Sequence, residues 1–127
     1  MDPDWLHELF SPYGRVGIRR LFGGQSVYLD GLIVAFVADD VLYLKSDAET
    51  APAFDAAGLA AFSYLAKGER RVLTSYRRAP EEALEDPDAL RPWVMLAQSA
   101  AGRAAAKKAG GRRGKPAAKR SRSTLAP

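Results

Sequence analysis

Apolar positions change their period four times along the chain, and each change marks a new element. In MDPDWLHELF, Leu6, Leu9 and Phe10 fall at helical spacing. Asp2 stands where an N-cap would be and Pro3 at the first helical position, so the start reads as a short amphipathic helix. Ser11-Pro12-Tyr13-Gly14 stops it, because proline disfavours helical geometry in the residue before it and glycine permits the turn that follows. From Arg15 the period becomes two. Val16, Ile18 and Arg20 point one way and Arg15, Gly17 and Arg19 the other, with Leu21-Phe22 closing the strand and Gly23-Gly24 turning the chain. Val27-Tyr28-Leu29 form a second strand. Asp30-Gly31 is the dipeptide preferred by a two-residue type I′ hairpin, whose central residues both need positive φ. Leu32 to Ala38 is apolar on both faces, which places it mid-sheet with helices over at least one side. Asp39-Asp40 turns the chain into Val41-Leu42-Tyr43-Leu44, and Lys45 ends an antiparallel meander.

The second half returns to helical spacing and then repeats the hairpin. Ser46 to Thr50 is expected to begin a helix with Pro52 in its first turn, Ala53, Phe54 and Ala57 facing inward, and Gly58 at its end. Phe62–Lys67 and Arg71–Tyr76 read as strands around a Gly68-Glu69 turn, with Phe62 and Tyr64 on one face. After Pro80 the segment EEALEDPDALRPWVMLAQSAAG reads as helical. Asp86-Pro87 mark a fresh start, and Leu90, Trp93, Val94, Ala97 and Ala101 keep helical spacing. Pro92 must either kink that helix or begin its main part. The elements together predict an α+β domain: an antiparallel sheet of five to six strands with helices, in the order helix, strands, helix, hairpin, helix.

Composition adds an asymmetry. With 127 residues and 47% hydrophobic content there is enough chain for one core. Residues 1–102 carry 10 Lys/Arg against 15 Asp/Glu, a net of −5, whereas residues 103–127 carry 9 Lys/Arg and no acid, a net of +9. The predicted organisation is therefore a folded domain over 1–102 and a basic Ala/Gly/Lys/Arg tail over 103–127. So polar a segment cannot offset its own ordering entropy by burial, and is expected to be disordered beyond a fraying helix end. Cations spaced by Ala and Gly suit a sequence-blind contact with DNA or RNA phosphates. The candidate nucleic-acid residues are Lys107, Lys108, Arg112, Arg113, Lys115, Lys119, Arg120 and Arg122. The competing reading is a tail that serves solubility alone.

The remaining chemistry is sparse. There is no cysteine, and His7 is the single histidine, so it reads as an ordinary helix residue with no second histidine to join in a metal or catalytic pair. Gly23-Gly24-Gln25-Ser26 lacks the Lys-Ser/Thr end of a phosphate loop and precedes a strand, which makes it a turn. Asp39-Asp40, with no further ligand series, reads as a solvated turn. Arg19 and Arg20 must split across the sheet. Arg70, Arg71, Arg77 and Arg78 gather at the ends of the second hairpin, where pairing with Glu69, Glu81 and Glu82 is the expectation in an acidic domain. No catalytic, cofactor or metal residue is assigned, and no enzyme is expected. The acidic start is unlike a secretory signal, and the longest uncharged apolar run, Gly31 to Ala38, is far short of the roughly 20 residues a membrane helix needs. A soluble, cytoplasmic chain without membrane contact follows. Exposed strand edges make a homodimer a reasonable expectation.

The run LFGGQSVYLDGLIVAFVADDVLYLK, followed by FDAAGL, SYLAKG and PEEALEDPDAL, resembles the N-terminal domain of the TfoX/Sxy family, the bacterial competence regulators. The similarity covers roughly residues 4–100. Its distinctive parts are the Phe-Gly-Gly turn at 22–24, YLDG at 28–31, LYLK at 42–45 and PEEALEDP at 80–87. The resemblance implies a two-layer domain, similar to a secretion-chaperone-like fold. It also implies a regulatory, non-enzymatic role linked to transcription and DNA-transformation competence, since complete family members activate DNA-uptake genes alongside the cyclic-AMP receptor protein. The helical C-terminal domain of those regulators is expected to have no counterpart in this chain, with the basic tail standing in its place. The alternative is a stand-alone module that acts through an unidentified protein partner, its tail having no nucleic-acid role.

Overall fold

The computed structural model of the chain describes residues 1–21 and 23–113. Phe22, expected to close the first strand, lies outside the described residues. Helix α1 spans Pro3–Phe10, and Asp2 Oδ1 accepts the Asp4 N–H at 2.9 Å, as its N-cap position requires. Leu6 and Phe10 are buried. A single 3-10 turn, Ser11–Tyr13, ends it. Strands β1 (Val16–Leu21), β2 (Gly24–Leu29), β3 (Leu32–Ala38) and β4 (Val41–Lys45) follow as the expected meander. Helix α2 is Ala51–Ala56, β5 is Ala61–Ala66, β6 is Glu69–Arg78 and helix α3 runs from Pro87 to Arg113. The six strands form one sheet in the order β1-β2-β3-β4-β6-β5, every neighbouring pair antiparallel.

Three two-residue turns fix the register. Asp30 and Gly31 have φ of 51° and 86°, Asp39 and Asp40 50° and 62°, and Lys67 and Gly68 52° and 79°. All three have the paired positive φ of the type I′ hairpin, which glycine adopts freely and aspartate tolerates. The third turn sits one residue earlier than Gly68-Glu69. Glu69 pairs with Ala66 as the first residue of β6, and Gly68 takes the second central position.

One face of the sheet meets the helices. Val27, Leu29, Leu42 and Leu44 project there against Leu6 and Phe10 of α1, Phe54 of α2, and Leu90, Val94, Ala97 and Ala101 of α3. Ala97 and Ala100 are fully buried, and their small side chains let α3 lie close to the sheet.

Two helices depart from expectation. Residues 46–50 form a capping turn in place of a first helical turn: Asp47 Oδ1 accepts the N–H groups of Glu49 and Thr50, both at 3.1 Å, and Ser46 Oγ lies 3.0 Å from Thr50 Oγ1. These local bonds hold the backbone out of the helix until Ala51. Of the three residues expected to face inward, Phe54 is buried while Ala53 and Ala57 are exposed, since a helix this short presents one side chain to the core. Gly58, at φ 71°, closes it: Gly58 N–H donates to Asp55 C=O and Leu59 N–H to Phe54 C=O, a Schellman arrangement.

The segment after Pro80 is a 3-10 turn, Glu81–Ala83, and α3 starts where Asp86-Pro87 announce it. Asp86 Oδ1 accepts from Asp88 N–H at 3.0 Å and Ala89 N–H at 3.3 Å. Pro92 lies inside α3, not at its start, and its missing N–H deprives the Asp88 carbonyl of an intrahelical donor. The helix crosses the expected domain boundary at 102/103 and continues to Arg113, so residues 103–113 are helical. Ala104, Ala105 and Ala106 have the highest helix propensity.

Candidate functional site

The basic segment is anchored by a residue outside the expected nucleic-acid set. Arg103 Nε lies 2.7 Å from Asp47 Oδ2 and 3.1 Å from Glu49 Oε2, and Arg103 Nη2 donates to Asp47 Oδ1 at 3.1 Å. The two-pronged contact clasps α3 to the turn after β4. It holds the Asp47 carboxyl below the usual carboxylate range, chiefly through the Arg103 hydrogen bond, against an opposing push from burial. The same bond raises the Arg103 guanidinium above its ordinary value. One turn further on, Lys107 and Lys108 are exposed, with Ala104, Ala105 and Ala106 exposed before them. Arg112 and Arg113 belong to the last turn of α3. Lys115, Lys119, Arg120 and Arg122 lie outside the described residues.

The four hairpin arginines each have a separate partner. Arg70 Nη1 donates to Ser63 Oγ at 2.8 Å, Arg71 pairs with Glu69 at 3.3 Å and Arg78 with Glu81 at 3.1 Å. Arg77 reaches Asp55 Oδ1 at 2.7 Å and the Leu59 carbonyl at 2.8 Å, tying β6 to the end of α2, while its Nε is buried with no partner among the described residues. Pairing with acids was the expectation. Glu69 and Glu81 fill it, and Asp55 stands where Glu82 was expected.

The sheet face away from the helices carries an aromatic cluster that sequence reading only partly found. Phe36 and Tyr43 stack with ring centres 5.4 Å apart, and Phe62 and Tyr76 meet Phe36 edge-on at 4.8 and 4.6 Å. Tyr43 meets Phe62 at 5.0 Å, and Tyr64 stacks on Phe62 at 5.7 Å. Such pairs contribute beyond their buried area. A cation rests on one of these rings, Lys45 Nζ lying 4.8 Å from the Tyr76 ring centre, and the Arg19 guanidinium lies 5.6 Å from the ring centre of Tyr28. Burial lowers the Lys45 pKa, an effect that Asp47 opposes, and burial raises that of the Tyr76 hydroxyl. Between the Gly23-Gly24 turn and the second hairpin the cluster floors a groove of about 660 Å³, with Phe36, Phe62, Tyr64, Leu73 and Tyr76 in its lining.

A signal for this cluster was present. Phe36 and Tyr43 each stand three residues from the two-residue Asp39-Asp40 turn, which makes them direct cross-strand partners. Arg19 and Arg20 split as expected, Arg19 on the aromatic face. His7 is an exposed residue of α1, and Asp40 Oδ1 lies 3.0 Å from the N-terminal amine. Among the described residues no group of three His, Cys, Asp or Glu side chains is placed to hold a metal. Nor, among them, is any helix long and apolar enough to cross a membrane.

Comparison with curated proteins returns no match. The TfoX N-terminal domain family matches residues 8–101, from the later part of α1, through the whole sheet, to the last buried turn of α3. The match covers most of the chain and stops just short of the Arg103 clasp, and the chain belongs to the TfoX N-terminal domain family.

Proposed function

We propose that this chain is a non-enzymatic regulator linked to competence and transcription, built as a protein-docking domain with a basic helical extension for sequence-independent contact with DNA or RNA. The observation that supports this reading most directly is the continuation of α3 past its clasp at Arg103. It carries Lys107 and Lys108, both exposed, away from a domain whose residues 1–102 have a net charge of −5. A cationic rod on an acidic body binds a polyanion at one end and is repelled by it elsewhere. If about half of the eight candidate cations meet phosphates, four contacts give a log–log salt slope near −3.6 on duplex DNA, at about −0.9 per phosphate.

The test is fluorescence anisotropy on a labelled duplex at several salt concentrations, comparing the intact chain with one ending at Ala106, which keeps the Arg103 clasp. Weak binding with that slope, lost on truncation, is expected. Equal affinity in the shortened chain, or a slope near zero, overturns the reading.

The exposed aromatic groove favours a second role, in which the domain works through a protein partner and the basic segment takes no part. Retention of a partner in pull-downs after nuclease and after truncation, and its loss on Tyr64→Ala, supports that role. Loss with nuclease alone contradicts it.

A further inference from the structure

The two edges of the sheet are chemically opposite. At one end, β1 presents Arg19 and Arg20, charges of the kind that keep an edge from pairing. At the other, β5 reads AFSYLA, with neither charge nor proline. Tyr64 is 45% and Leu65 68% exposed, and behind them on β6 Val72 is 60% exposed. Half of the backbone N–H and C=O groups of an edge strand point outward, and an uncharged apolar edge is a template for another strand.

We propose that β5 is a self-association edge, pairing antiparallel with β5 of a second copy about a two-fold axis through Ser63. In an antiparallel pair, opposed residues share a face, so a two-fold axis normal to the sheet must pass through a residue matched with itself. Centring on Ser63 sets Phe62 against the partner's Tyr64, and Tyr64 against the partner's Phe62. The aromatic row that already runs from Tyr43 through Phe62 to Tyr64 then continues into the second sheet. On the other face Leu65 meets the partner's Ala61, large against small. Centring on Tyr64 would instead oppose two tyrosines and leave Phe62 against alanine.

A second copy fits better than a foreign strand. The strand itself carries no charge by which a heterologous partner would be selected, the neighbouring Arg70 being held on Ser63 Oγ at 2.8 Å, and its side chains complement themselves across the axis. A six-residue edge lies at the small end of stable interfaces, so the dimer is concentration-dependent, with a Kd on the order of 10–100 µM.

The absence of native cysteine makes the register directly testable. Opposed Cα atoms in an antiparallel pair are about 4.5–5.5 Å apart, inside the range a disulfide spans. In the full chain, Ser63→Cys should yield a covalent dimer on mild oxidation. Ala61→Cys and Leu65→Cys should each stay monomeric alone and cross-link when mixed. Sedimentation equilibrium of the unsubstituted chain should show monomer and dimer in exchange, and Leu65→Lys, at an exposed position, should shift it to monomer while its melting curve at concentrations well below the Kd matches the parent's. A chain that stays monomeric at about ten times the expected Kd overturns the proposal, leaving a foreign strand as the edge's occupant. Cross-linking of Tyr64→Cys in preference to Ser63→Cys overturns the register.

Discussion

Replacing Phe54 by alanine should unfasten one side of the helical layer. Helix α2 has six residues, far too few to stand alone in water. Three things keep it in place: the Schellman closure at Gly58, the Arg77 bridge from β6 to Asp55 and the Leu59 carbonyl, and the ring of Phe54, fully buried with its centre 5.2 Å from that of Trp93 on α3. Removing a buried phenyl group loses its transfer free energy and leaves a cavity between α2 and α3, together about 3–5 kcal/mol. Against a total stability of about 5–15 kcal/mol this is a third or more for most of that range. In urea, with an m-value of about 1.5 kcal/mol/M, the midpoint should fall by about 2–3 M with the slope unchanged. The exposed neighbour Ala53, changed to serine, should stay within about 0.5 kcal/mol. A loss below about 1 kcal/mol for Phe54→Ala refutes the reasoning. So does a reduced m-value with a small midpoint change, since that pattern means α2 detaches by itself and does not belong to the cooperative core.

Three further perturbations bear on the turns, the aromatic face and the clasp. Gly31→Val forces a β-branched residue to a φ of 86° and should cost about 1–2 kcal/mol in the same melts, whereas parental stability would contradict the turn geometry. Phe36→Ala removes a half-buried ring from the open face and should cost about 1–3 kcal/mol, less than Phe54→Ala; a larger loss than at Phe54 would show the open face to be the main core. Arg103→Ala should destabilise modestly at neutral pH. Because the folded pKa of Asp47 is depressed, the clasp's contribution is full above the ordinary value of 3.8 and is lost as pH falls through the lowered one; a difference between variant and parent that persists in strong acid would refute the assignment.

How far the fold was legible depended on local signals. The meander could be read because Asp30-Gly31 and Asp39-Asp40 fix both the turn and the phase of the strands beside them. Helix α2 was drawn too long because Ser46, Asp47 and Thr50 spend their side chains on the backbone, a competition that helical spacing does not register. The end of α3 was placed at Gly102 on composition. What extends it is the helix-favouring run Ala104–Ala106, a local signal that the basic composition masked, together with a contact across 56 residues of sequence, between Arg103 and Asp47, which no window along the chain can contain. The aromatic face was half visible for a related reason. Phe62 and Tyr64 share a strand, but the meeting of Phe62 with Phe36 and Tyr43 depends on β6 inserting between β4 and β5, a choice of strand order and not of period.

Helix α3 has one more consequence. Its first half is fixed by burial of Leu90, Val94, Ala97 and Ala101, so the costly nucleation of a helix is already complete when the chain reaches Arg103. Every later turn only propagates. From Arg103 to Arg113 the rise of about 1.5 Å per residue carries the chain about 15 Å along the axis. On the proposed reading, a polyanion arriving at that end would meet a preformed rod and spend little of its attraction on ordering the peptide. The rod is continuous with the core, so whatever stiffens its far turns also tightens the junction at Asp47. If the basic end takes the proposed polyanion, its occupancy and the stability of the folded body become two readings of one equilibrium, each shifting the other by the same free energy.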